Sequence, residues 1–177
     1  MMKNFDYDIE AQKVLQMIGR EESNRLFSWK ECELDPSFIG FLDNYKDLEE
    51  SVPKDYTIID FGCYMAFQSV YFKDHACYIG VEPNVPVKYR VNADAVHYKM
   101  TAQEFIKDTL PCLIRNGLDL QKTFVISSAV PDREVWQMIE ETFPNYRIAY
   151  PGMETLQKMD GVETTMEMED DMELSLF

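Results

Sequence analysis

The segment Tyr56-Thr-Ile-Ile-Asp-Phe-Gly-Cys-Tyr-Met-Ala-Phe67, followed by Cys77-Tyr-Ile-Gly-Val-Glu82, constrains the fold more than any other part of this 177-residue chain. A β-branched, apolar run ending at Asp60-Phe61 predicts a strand, and Gly62 predicts a tight turn. The residues through Phe67 to Phe72 predict a helix, and Tyr78 to Val81 a second strand with an acid at its end. That order is half of a nucleotide-binding α/β unit. Glu82 stands twenty residues after Gly62, about the distance at which such units place an acid for a ribose. A dinucleotide fingerprint needs three glycines, however, and Tyr64 and Phe67 stand where the second and third would fall. A nicotinamide cofactor is therefore disfavoured.

The remaining pattern follows from periodicity. Ala11, Val14, Leu15 and Ile18 recur at helical spacing before an aromatic patch at Leu26, Phe27 and Trp29. Asp35-Pro36 announces a second helix, with Phe38, Phe41, Leu42, Tyr45 and Leu48 on one face. Residues 1–55 thus read as a helical leader and 56–177 as an α/β core, together one domain. Further strands are predicted near Tyr89 to Val91, at Thr123 to Ser127 and at Tyr146 to Tyr150. A helix is predicted from the capping box Thr101-Ala-Gln-Glu104 to about Asn116-Gly117, and another after Pro131-Asp132. Continuous apolar strands point to a parallel sheet buried on both faces. Near the end, Val162, Thr164, Met166, Met168, Met172, Leu174 and Leu176 alternate with polar residues, predicting an antiparallel hairpin.

On these residues the chain resembles the class I S-adenosylmethionine-dependent methyltransferases. That family ends its first strand in acid-x-Gly-x-Gly-x-Gly and its second in an acid; here Asp60, Gly62 and Glu82 fit, while Tyr64 and Ala66 replace the second and third glycines. The resemblance covers roughly residues 55 to 177, most specifically at the first two strands. It implies an α/β, doubly wound, mostly parallel Rossmann-like sheet with a C-terminal antiparallel hairpin. It also implies S-adenosylmethionine as cofactor, with Asp60 and Gly62 against the methionine portion, Tyr64 lying beside the cofactor or turned away from it, Glu82 at the ribose, Asp94 and Ala95 near the adenine edge, and Ser127 facing the pocket. The acid-or-Asn, Pro-Pro, aromatic motif of enzymes that methylate base nitrogens is missing at Ser127-Ser-Ala-Val-Pro131. His97 and Asp132 are candidate bases, with surface or capping roles as the alternative.

Composition narrows the partners. A net charge of -15 repels phosphate backbones, so direct nucleic-acid binding is not expected, and the acceptor would be a small molecule or a protein. The alternative is an inactive methyltransferase-like module that binds a protein partner through an acidic surface, its pocket plugged by Tyr64. Met153, Met159 and the later methionines could also form an edge for a partner or a second copy. Cys32, Cys63, Cys77 and Cys112 form no Cys-x-x-Cys pair, and His75 and His97 are far apart, so neither a disulfide framework nor a metal site is expected. No apolar run approaches about 20 residues and the first residues lack a secretory pattern, which predicts a soluble, cytoplasmic protein.

Overall fold

The computed structural model describes residues 45, 48–90, 95–127, 132–148 and 156–159. Its centre is one six-stranded sheet in the order β3-β2-β1-β4-β5-β6. The strands are β1 (Thr57–Phe61), β2 (Cys77–Val81), β3 (Val96–Tyr98), β4 (Thr123–Ser127), β5 (Tyr146–Ile148) and β6 (Leu156–Lys158). All neighbours pair in parallel except β5 and β6, which run antiparallel with Ile148 opposite Leu156. This is a doubly wound, Rossmann-like α/β sheet closed at one edge by an antiparallel pair. Residues 162–176, where alternation predicts the hairpin, lie outside the described residues, as do residues 1–44 of the leader.

Burial explains why β1 and β4 form the centre. Ile58, Ile59, Phe61, Phe124, Val125 and Ile126 are all buried, so both faces of these strands exclude water, as their largely apolar sequence requires. One face packs Ile58, Tyr78, Phe124 and Ile126 against Tyr45, Leu48 and Val52 of the leader and Phe72 of the β1–β2 connection. The other packs Ile59, Phe61 and Val125 against Phe105, Leu110, Val135 and Ile139 from the connections after β3 and β4. The winding therefore reverses between β1 and β4, and the carboxyl ends of those two strands flank the switch point where open α/β sheets take ligands.

One connection refines the sequence expectation and one departs from it. The β1–β2 connection carries the predicted helix at Phe67–Phe72, wound as a 3-10 helix. Its preceding residue, Ala66, is left-handed and supplies no side-chain cap, and Phe-Gln-Ser-Val-Tyr-Phe is poor in strong helix formers. The third strand is Val96–Tyr98 rather than Tyr89 to Val91. Val87–Tyr89 forms a short 3-10 helix after Pro86, and Arg90 turns its side chain inward instead of joining the sheet. Local β propensity at Tyr89 is outweighed there by the hydrogen bonds that Arg90 gains.

The helices on the second face follow their local signals. Thr101 caps α1 (Ala102–Glu104) with the expected capping box, its Oγ1 accepting from the Glu104 amide at 3.2 Å. A π-helical turn, Phe105–Thr109, leads into α2 (Leu110–Arg115). Pro111 has no amide hydrogen and its ring crowds the carbonyl four residues back, which accounts for the widened turn just before it. Gly117, at φ 105°, ends the helix, and Leu118 N donates to Leu113 O at 3.0 Å. Asp132 caps α3 (Arg133–Thr142) by accepting from the Glu134 amide at 2.9 Å. No helix among the described residues is long and apolar enough to cross a membrane.

Candidate functional site

The turn that leaves β1 keeps a glycine-type backbone with one glycine. Gly62, Tyr64 and Ala66 have φ of 77°, 49° and 56°. These alternate positions are the ones at which the acid-x-Gly-x-Gly-x-Gly pattern places glycine, and for side chains with a Cβ the left-handed region costs about 1–2 kcal/mol each. The conformation persists because its surroundings hold it. Gly62 N and Cys63 N both donate to Val81 O of β2, at 2.9 and 3.5 Å, and Ala66 N donates to Cys63 O at 2.7 Å. Cys63, Met65 and Ala66 point into the core, whereas Tyr64 is 40% exposed. The tyrosine ring therefore stands at the rim of the turn rather than filling the space beneath it.

Asp60 sits directly behind this turn and is completely buried. Its Oδ2 accepts from Tyr78 Oη at 2.5 Å and from Gln68 Nε2 at 2.6 Å, while Oδ1 has no hydrogen-bond partner. Burial pushes its pKa up to about 6, against the pull of the two donors and helped by the negative charge of Glu82. Burial likewise raises the Cys63 thiol and the Tyr78 hydroxyl far above their ordinary values, so both stay protonated. Gly80, the β2 partner of Asp60, is required by crowding: a Cβ there would lie 2.8 Å from His97 Nδ1 and 2.9 Å from Cys63 Sγ.

At the end of β2, Glu82 is 3% exposed, so it is a shielded carboxylate rather than a solvated strand end. Its Oε1 accepts from the Asn84 amide at 2.7 Å, which fixes the side chain at the start of the next connection. Beside it lies Arg90, a buried cation that the sequence reading does not single out. Its guanidinium donates to Glu82 O at 2.6 Å, Tyr98 O at 2.9 Å, Val85 O at 3.0 Å and Gly80 O at 3.2 Å. One side chain thereby joins the carboxyl ends of β2 and β3, and a planar fork with five donors suits a cluster of carbonyls in a way lysine does not. An arginine in a short loop that also holds Lys88 carries no sequence signature of such a role.

Across the switch point, Ser127 ends β4 opposite Phe61 of β1. Its hydroxyl is buried and has no partner, a cost that a bound polar group would remove. Ala95 packs against the leader-side core, and Asp94 lies outside the described residues, as does Ser128. Of the candidate bases, Asp132 is engaged as a helix cap and accepts from Gln103 Nε2 at 3.1 Å, and the His97 ring packs 6.5 Å from that of Tyr78. Among the described residues, no group of His, Cys, Asp and Glu is arranged to hold a metal ion.

The carboxyl ends of β1, β2 and β4 therefore carry Asp60, the Gly62–Ala66 turn, Glu82 and Ser127 at one end of the sheet. Only a six-residue 3-10 helix follows the turn, so no long helix dipole favours an anion there, and the buried carboxylate behind it disfavours one further. This electrostatic setting does not suit a pyrophosphate.

Comparison with known proteins adds a fold-level likeness. No family model and no curated protein matches the chain. A solved structure, "The Structure of a Putative Type II Methyltransferase from Anaeromyxobacter dehalogenans", matches over 63% of this chain at 13% identity and a TM-score of 0.44. The match covers 48% of that protein's chain, so the likeness spans about half its length. The assignment of a Rossmann-like fold stands on strand order and register.

Proposed function

We propose that this chain binds S-adenosylmethionine at the carboxyl ends of β1, β2 and β4 and transfers its methyl group to a small molecule or a protein. The observation that carries the reading is the series of positive φ values at residues 62, 64 and 66, which preserves the backbone of a cofactor-wrapping turn after two of its glycines have been replaced. A strained backbone retained without its usual residue points to a use for that backbone. The residues present fit the group. The Gly62–Ala66 turn would hold the methionine portion, Glu82 would accept from the ribose hydroxyls, and the unpartnered Ser127 hydroxyl faces the same end of the sheet. The cofactor supplies an electrophilic methyl on a cationic sulfonium, and a site with a buried carboxylate and no helix dipole is electrostatically suited to a cation.

The chain's own contribution is positioning and exclusion of water, which suffice for much of an in-line displacement. Asn84 N holds one oxygen of Glu82, and Arg90 holds the strand ends around it, so the acid is oriented before ligand arrives. Tyr64 at the rim would cover a bound ligand from the solvent side. The net charge of -15 argues for a small-molecule or protein acceptor over nucleic acid.

Calorimetric titration of the purified protein with S-adenosylmethionine and S-adenosylhomocysteine, with NAD as control, tests this reading. Binding of the first two, weakened at least about tenfold by Glu82→Ala, is the expected result. A folded protein that binds neither would sink it, and would leave a non-catalytic module with a protein partner as the account to pursue.

A further inference from the structure

We infer that Gln68 and Tyr78 are positioning residues that hold the Gly62–Ala66 turn in its left-handed form through the Asp60 carboxylate, an inference that rests on reading this turn as the cofactor site. The connections are few and traceable. Gln68 Nε2 lies 2.6 Å from Asp60 Oδ2 and 3.3 Å from Cys63 O, so one amide ties the strand to a carbonyl inside the turn. That same carbonyl accepts from Ala66 N at 2.7 Å, which closes the turn on itself. From the other side, Tyr78 Oη anchors the same Asp60 oxygen to β2, whose Val81 carbonyl receives the Gly62 and Cys63 amides. The turn is therefore pinned along one edge by β2 and along the other by Gln68, and Asp60 is where the two meet.

This arrangement gives the buried carboxylate a role that needs no direct contact with ligand. Tyr64 and Ala66 would relax out of the left-handed region if the turn were released, because neither residue prefers it. Gln68 acts where Cys63 O would otherwise be held by Ala66 N alone. The groups that bear on the carboxylate are Tyr78 and Glu82 of β2 and its extension and Gln68 after the turn, while the carboxylate itself acts on Cys63 and the His97 ring packs against Tyr78. Arg90 acts on the adjoining Cys63, and Tyr45 of the leader on Tyr78.

Site-resolved amide hydrogen exchange on the wild type and on Gln68→Leu, Gln68→Glu and Tyr78→Phe tests the inference without needing a ligand. In Gln68→Leu the turn amides should exchange about tenfold faster or more, while amides within β1 and β4 change by no more than about twofold. Tyr78→Phe should produce a smaller change confined to the same amides. Gln68→Glu distinguishes geometry from bulk. With both acids ionised it lacks the donor and should behave as Gln68→Leu; where the two carboxyl groups share a proton, protection corrected for intrinsic exchange should return. Unchanged turn exchange in Gln68→Leu and Tyr78→Phe, or an increase spread evenly over the sheet in step with lost thermal stability, would overturn the inference. If Gln68→Leu does not fold, Tyr78→Phe decides by the same criterion. Titration with S-adenosylmethionine runs in parallel. A wild type that fails to bind defeats the functional reading while leaving the exchange result to judge the positioning role; where the wild type binds, equal affinity in a Gln68→Leu protein whose turn exchange is also unchanged defeats the positioning role alone.

Discussion

The two faces of the sheet are built from the same strands but on different principles. The face that meets α1 to α3 is hydrocarbon: Phe61 lies edge-on to Phe105 and Phe143 at 5.7 and 6.3 Å, and Phe105 meets Tyr98 at 5.3 Å. The face toward the leader carries polar groups inside its hydrophobic cover, including Asp60, Gln68, Ser69 and His75, several with unpartnered atoms. Each such ring pair is worth about 0.5–1.5 kcal/mol beyond burial. Unpartnered buried polar atoms on the other face cost about 1–3 kcal/mol each. The leader face has ring pairs of its own, Phe72 with Tyr45 at 6.5 Å and with Tyr78 at 6.2 Å, so what sets it apart is the buried Asp60 and its donors, which place a charge next to the switch point.

The sharpest way to break this comparison is to damage the hydrocarbon face. Phe105→Ala should lower unfolding stability by about 3–5 kcal/mol in denaturant titration, since the ring is fully buried, yet leave cofactor affinity of the folded fraction unchanged. A parallel loss of affinity would mean that the two faces are not separable.

Next in size is the pH dependence of Asp60. Its folded pKa of about 6 lies above the ordinary 3.8, so the folded state holds a proton that the unfolded chain has already released. The contribution of this carboxyl to stability is therefore fullest below about pH 4 and declines as pH rises through about 6, by about 3 kcal/mol in all. Burial, and then the nearby Lys54, lower the pKa of His75, which gives a slope of opposite sign. The difference between wild type and Asp60→Asn isolates the carboxyl. Thermal unfolding of both from about pH 4 to 8 should show the decline in the wild type and its removal in the variant; identical profiles would refute the assignment.

Gly80→Ala comes third, at about 1–3 kcal/mol of destabilisation, because the new methyl meets His97 and Cys63 inside 3.0 Å. The smallest expected effect is that of Tyr64→Gly. Relief of the left-handed strain gains about 1–2 kcal/mol, offset by the roughly 0.5–1 kcal/mol entropy cost of glycine. Cofactor affinity should then change little. A large gain in affinity would show instead that the ring obstructs the site, and would revive the plugged-pocket account of this turn.

Much of the frame was legible in the sequence because it is local. The β-branched, largely apolar runs 57–61 and 123–127 give β1 and β4 their observed bounds, and Thr101 and Asp132 cap the helices as their spacing predicts. The third strand was not legible. Tyr89 and Arg90 have strand-like neighbours, but Arg90 finds the carbonyls of Gly80, Glu82, Val85 and Tyr98, which converge only once β2 and β3 have paired. Gln68 was equally silent: a glutamine in a short helical segment has no pattern that says its amide reaches back to Asp60.

By itself the sequence determined the alternation of strands and helical segments, the buried parallel centre, and the places where Asp60, Gly62 and Glu82 would stand, because hydrophobic periodicity and turn chemistry act between near neighbours. Tertiary structure alone decided that Tyr64 and Ala66 adopt a glycine's backbone, that Asp60 is anchored by Tyr78 and Gln68, and that Arg90 ties β2 to β3. Those outcomes depend on burial and on hydrogen bonds between residues of different elements, whose energies exist only once the sheet has brought the partners together.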